Sequence, residues 1–270
     1  NDKSQKGEDL TGGYYDAGDH VKFGFPMAFS TTVLAWGVVD YEAGYSSANA
    51  LTDARKAIKW ATDYFIKAHV STNEFYGQVG LGQPDHDYWG RPEDMTMARP
   101  AFKIDTSHPG SDLAAETAAA LAAASIVFKS SDSSYSKTLL THAKQLFDFA
   151  NKYRGKYSDS IADANNFYAS WDYKDELVWG AAWLYRATGD SSYLTTAESL
   201  YKDFGIQYWN GDFGWDTKTS GVQVLLADLT GKQEYKDKVQ NYCDYLINSQ
   251  TKTPKGLVYV YEWGALRAIA

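Results

Sequence analysis

The chain is poor in several things, and each shortage excludes something. Cys243 is its only cysteine, so no internal disulfide can form, and the redox compartment is left undecided. No Asn-x-Ser/Thr acceptor occurs, so N-glycosylation gives no hint of secretion. Residues 1–10 are polar and charged, with no signal-peptide pattern, and no apolar stretch reads as a transmembrane span. Positive charge is in deficit. Twenty-six Lys and Arg face 34 Asp and Glu, a net charge of −8 that repels nucleic acid and anionic membranes and suits a neutral or cationic ligand. No Asp-Asp-x-x-Asp run is present, which argues against a terpene cyclase.

Aromatics are abundant: 21 Tyr and nine Trp in 270 residues. Flat rings with a polar edge serve sugar binding as well as core packing, and composition alone leaves both open. The length suits one large domain, taken here as residues 1–270.

Most of the chain reads as helix. In 51–69, Ala54, Ala57, Ile58, Ala61, Phe65 and Ala68 mark one buried face. Leu139, Ala143, Leu146, Ala150 and Tyr153 mark a second, and Tyr235, Val239, Tyr242, Cys243 and Leu246 a third. Residues 113–128, 177–187 and 222–229 are apolar nearly all round and must be enclosed by protein. The two types alternate through similar joints: Ser131-Asp132-Ser133-Ser134-Tyr135, Gly189-Asp190-Ser191-Ser192-Tyr193 and Gly231-Lys232-Gln233-Glu234-Tyr235. Gly stops one helix and Asp or Ser caps the next. Three inner–outer hairpins predict an all-α, internally repeating architecture; a closed ring or an open solenoid would satisfy it, and the uneven spacing from Tyr135 to Tyr193 to Tyr235 favours the ring with long loops on one face. Residues 11–28, 71–112, 155–175 and 205–217 read as long loops on that scaffold, where function is commonly carried.

The first loop holds Asp16-Ala17-Gly18-Asp19. A tight turn there aims two carboxylates at one water, the arrangement of a general base in an inverting glycosidase. Equally, one Asp could simply close a turn or cap a helix.

The run Gly12-Gly13-Tyr14-Tyr15-Asp16-Ala17-Gly18-Asp19-His20-Val21-Lys22-Phe23-Gly24-Phe25-Pro26-Met27-Ala28 resembles the signature of glycoside hydrolase family 9, in particular its invertebrate endo-β-1,4-glucanases. The similarity continues through Gly90-Arg91-Pro92-Glu93-Asp94-Met95-Thr96-Met97-Ala98-Arg99-Pro100, Tyr173-Lys174-Asp175-Glu176-Leu177-Val178-Trp179-Gly180 and Trp263-Gly264-Ala265-Leu266-Arg267. The resemblance implies an (α/α)6 barrel and endo-acting, inverting hydrolysis of β-1,4-glucosidic bonds, with Asp19 as base and Asp16 as its partner on the water. It implies sugar contacts at His86, Trp89, Trp263 and Arg267, with Trp171 and Trp209 as further candidates. A cation–π packing pair is the plainer reading of Trp263 and Arg267, and plain packing that of Trp171 and Trp209. The resemblance also implies a structural Ca2+ held by Asp175, Glu176 and Asp216, with Asp172 serving through its carbonyl; without it these acids read as a solvated patch and helix-start charges. No organic cofactor is expected. The partners implied are cellulose or cello-oligosaccharides, not nucleic acid or a membrane, acted on outside the cell by a protein monomeric when complete.

The family's general-acid Glu, and the paired-His and Arg motif before it, find no match here; Glu262 beside Trp263 reads as structural. About nine of twelve ring helices can be counted, so the expectation is a barrel incomplete at both ends and nearly inactive by itself. The alternative is a non-catalytic carbohydrate-binding fragment; another α/α-barrel enzyme, such as a mannosidase, is a third reading.

Overall fold

In a computed structural model that describes residues 2–209, 211–260 and 262, four long, mostly apolar helices each pack against a more polar partner. The elements run α1 (Gly24–Ser47), α2 (Leu51–Ala68), α3 (Gly82–His86), α4 (Ser111–Phe128), α5 (Ser133–Lys152), α6 (Tyr157–Ser160), α7 (Lys174–Thr188), α8 (Ser191–Asp203), α9 (Thr219–Thr230) and α10 (Gln233–Asn248). The inner helices follow one another in space as α1–α4–α7–α9, and α2, α5, α8 and α10 back them from outside. Helix α4 is buried on all sides except at Ile126. By length and composition α4 could cross a membrane, which the sequence reading missed, but it is enclosed by protein as a core helix is.

The joints work largely as expected. Gly189 and Gly231 end α7 and α9 with φ of +72° and +69°, and Asp132 and Asp190 cap α5 and α8 through their carboxylates. The third joint lacks a side-chain cap at Lys232. A fourth hairpin, α1–α2, was not anticipated. Its turn uses Asn49 at φ +56° in place of glycine, and the loop read as 11–28 gives way to helix at Gly24.

The segment read as a loop over 71–112 also contains strands. β1 (Lys22–Phe23), β2 (Phe75–Val79) and β3 (Ala101–Ile104) form an antiparallel sheet in the order β1-β2-β3, in register Lys22↔Val79 and Phe75↔Ile104. A bulge falls between Tyr76 and Gln78. Gly77 is needed there: a Cβ would stand 2.4 Å from Leu113 of α4. The sheet packs against the starts of α1 and α4, where Gly24, Gly77 and Leu113 meet, and β1 joins the Asp16–Asp19 loop to α1.

Candidate active site

The Asp16–Asp19 segment is a tight turn closed by the Asp19 N–H donating to the Asp16 carbonyl at 2.9 Å. The Asp16 N–H donates in turn to the Val21 carbonyl at 3.0 Å, fixing the base of the loop against the start of β1. Ala17 sits at φ +51°, a left-handed conformation that costs an L-residue and persists only where its surroundings impose it.

Both carboxylates reach named partners. Tyr168 donates its hydroxyl to Asp16, 2.8 and 2.7 Å from the two oxygens. Its ring is wedged between Phe23 and Trp215, at 5.0 and 4.9 Å between centroids. Burial, the Asp16 hydrogen bond and the two nearby carboxylates hold the phenol's pKa above the ordinary range, so it remains a donor. Burial likewise raises the pKa of Asp16; the Tyr168 bond opposes that and the Asp19 charge adds to it. Asp19 is 21% exposed and lies 3.2 Å from the exposed ring of His86, at the end of α3. Depressions of about 410 Å3 and 310 Å3 flank the turn. Tyr15, Asp16, Phe23 and Met27 line the first; Gly18, Tyr88, Trp89 and Arg91 line the second. A third, about 470 Å3 between α9, α10 and the 205–217 loop, contains neither Asp16 nor Asp19.

Trp89 is 94% exposed on the rim of the second depression, a ring available to a ligand rather than to the core. Trp171 is also exposed and meets Trp209 edge to face at 4.7 Å. Trp209 is partly packed on the core, which agrees with the packing reading for that residue, while Trp171 leaves its ring open to solvent. Trp263 and Arg267 lie outside the described residues.

The acidic set divides. Asp172 is tied to Lys174 at 2.8 Å, and Asp216 accepts the Trp171 N–H at 2.9 Å. Asp175 and Glu176 are fully buried at the start of α7, so the solvated-patch reading does not hold for them. The neighbour that sequence reasoning missed is Lys218. Its buried ammonium lies 3.0 Å from Glu176, 3.4 Å from Glu116 on α4 and 2.6 Å from the Trp215 carbonyl. Burial disfavours that charge, but Glu176, Glu116 and Asp175 outweigh it and raise the lysine's pKa. Burial raises Glu176 well above the usual carboxylate range, Asp175 adds to the rise and Lys218 opposes it. Asp175 Oδ1 and Glu176 Oε2 have no hydrogen-bond partner. Two unpartnered buried oxygens in an excess of negative charge are the right chemistry for a hard cation. Among the described residues no three acidic, His or Cys side chains converge as a metal-binding group, so backbone carbonyls would have to complete the shell.

Sequence reasoning also missed Tyr168, Asp85 and Arg99. The first stood in the 155–175 loop already marked as a place where function is commonly carried. Glu116, the one charge within the all-apolar 113–128 stretch, was the signal that a buried cation such as Lys218 had to be near.

A family profile described as "Glycosyl hydrolase family 9" matches residues 1–270. Endoglucanase B of Cellulomonas fimi is 51% identical over 281 residues, covering 100% of this chain and 27% of its own length. Endoglucanase 5 of Arabidopsis thaliana is 52% identical over 279 residues, covering 97% and 44%. Among solved structures, the endoglucanase of the termite Nasutitermes takasagoensis superposes with a TM-score of 0.98 at 74% identity, over 98% of this chain and 61% of its own. That structure is an (α/α)6 barrel, so the inner and outer helices seen here are an arc of that fold. Endoglucanase CelQ from Clostridium thermocellum, complexed with cellotetraose, aligns with a TM-score of 0.85 at 35% identity over 96% of this chain and 43% of its own. The chain therefore spans less than half the length of the two curated relatives and about three-fifths of the termite structure.

Proposed function

The chain belongs to glycosyl hydrolase family 9, and on that premise we propose that it takes part in endo-acting hydrolysis of β-1,4-glucosidic bonds in cellulose and related β-glucans, with inversion at the anomeric carbon. The observation that carries this reading is the Asp16–Asp19 turn, closed by the Asp19 N–H on the Asp16 carbonyl and set between two depressions, one lined by Asp16 and the other by Gly18. A water held between the two carboxylates has an acceptor on each side. As its oxygen bonds to the anomeric carbon, Asp19 takes the proton and the bond to the leaving oxygen breaks on the opposite face. Tyr168 donates to Asp16 at 2.8 and 2.7 Å, whereas among the described residues Asp19 meets only the longer 3.2 Å contacts of the exposed His86 ring, which supports Asp19 as base and Asp16 as the group that orients the water. The leaving oxygen needs a proton from a second carboxyl group across the sugar.

His86 and Trp89 would meet the sugar beside the base, Trp171 and Trp209 would offer stacking faces further along, and Trp263 with Arg267 complete the proposed contacts. Asp175, Glu176 and Asp216 would hold a structural Ca2+, which would supply charge compensation rather than chemistry. A polymeric substrate would place the protein outside the cell. The CelQ structures, complexed with cellotetraose and with cellotriose, support a β-glucan as ligand.

β-Cellobiosyl fluoride isolates the base step, because fluoride departs without general-acid help. The expected result is turnover by the parent chain that falls about 10^2- to 10^4-fold in Asp19→Asn, the usual worth of a general base. No turnover by the parent, or parental turnover by Asp19→Asn, overturns the reading.

A further inference from the structure

We infer that Asp85 and Arg99 are positioning residues for the proposed base, holding the backbone immediately after Asp19 and so setting the direction of its carboxylate. The inference rests on the reading of Asp19 given above. His20, the next residue, has both its backbone polar groups bound by side chains. Its N–H donates to Asp85 Oδ1 at 2.7 Å, and its carbonyl accepts from Arg99 Nη2 at 2.8 Å. The His20 ring Nδ1 lies 3.3 Å from the same Asp85 oxygen. The other Asp85 oxygen faces Arg99 Nη1, also at 3.3 Å.

This clamp is anchored at both ends. Asp85 is 1% exposed within α3, and Arg99 is held by Asp2 through Nε at 2.7 Å. Charge-assisted bonds of this kind are short and directional. The residue after Asp85 is His86, whose ring reaches the Asp19 carboxylate. One short helix thus grips the chain after the base with one side chain and touches the base with the next. The strained Ala17 on the other side of Asp19 indicates why an external grip is needed: the turn is not a conformation the local sequence prefers. Misplacing a reacting group by about 1 Å can cost about 100-fold in rate.

The test measures kcat, KM and melting temperature with β-cellobiosyl fluoride on the full chain. Asp85→Ala should lower kcat about 100-fold, with KM changed less than about threefold because substrate contacts are intact. Asp85→Asn, which keeps an oxygen for the His20 N–H, should recover at least about tenfold of that loss. Lys103→Met, in the part-buried ion pair between Lys103 of β3 and Glu74 just before β2, should keep parental kcat. Should Asp85→Ala not fold, Arg99→Lys carries the test, since it keeps the charge but loses the fork that reaches His20. Parental kcat in a folded Asp85→Ala or Arg99→Lys overturns the inference, as does a loss shared by KM or by Lys103→Met. If Asp19→Asn keeps parental turnover, the base reading itself has failed. If it abolishes turnover while the Asp85 and Arg99 variants keep theirs, only the clamp has.

Discussion

Asp16 and Asp19 could be picked out because a Gly between two acids three apart is a turn signal, and the structure closes that turn with one backbone hydrogen bond. Tyr168, Asp85, Arg99 and Lys218 could not, because their partners lie 152, 65, 79 and 42 residues away in sequence and no spacing rule spans such distances. A second residue-scale feature lies outside the site. His69, at the end of α2, has its Nδ1 2.8 Å from that of His142 on α5. Burial, then the neighbouring imidazole, push the His69 pKa down to about 4 from 6.5. Below about pH 6.5 the unfolded chain takes up a proton that the folded chain refuses until about pH 4. Stability therefore falls with pH across that window, by up to roughly 3 kcal/mol from this group. Urea unfolding at pH 7 and pH 4.5 should show His69→Gln losing less stability between the two than the parent does. Equal losses would remove His69 from the account.

At the scale of elements, the helices were legible and the sheet was not. Helices α2, α5 and α10 announce themselves by a periodic apolar face of local origin, and Asp132 and Asp190 at the joints mark the starts of α5 and α8. Strands β1 and β3 are two and four residues long and find β2 only through tertiary contact, so period-2 alternation had no length in which to show. Helix α1 escaped for a related reason: it begins without a side-chain cap, and the turn after it reverses at Asn49 rather than at glycine. The contact between sheet and inner helices is tight at Gly77, where an added methyl would meet Leu113 at 2.4 Å and Ile161 at 3.0 Å. Gly77→Ala should destabilise the protein by about 1–3 kcal/mol through overpacking. A denaturation midpoint equal to the parent's would mean that Leu113 moves aside freely.

At the scale of the molecule, the paired inner and outer layers followed from the alternation of enclosed and amphipathic helices, while only the uneven spacing of the repeats favoured a ring over an open solenoid until the fold was compared with a solved barrel. The acidic residues show the same division between pattern and placement. Their oxygen chemistry was readable; the lysine among them was not. If the unpartnered oxygens of Asp175 and Glu176 take a Ca2+, chelation should lower the melting temperature and added Ca2+ restore it. Saturation at about 100 times the dissociation constant would contribute about 2.7 kcal/mol. A melting temperature indifferent to both treatments would remove the ion from the proposal.

Lys218 has a consequence of its own. A dissolved ion leaves on dilution, whereas this cation is part of the polypeptide and arrives at one per molecule, whatever the salt around it. It joins Glu116 on α4 to Glu176 on α7 from the residue just before α9, tying three neighbouring staves at a common height. Sliding any one of them along its axis would strand a charge in the dry interior. The arc is thus pinned against slippage beneath the face where the proposed substrate would lie.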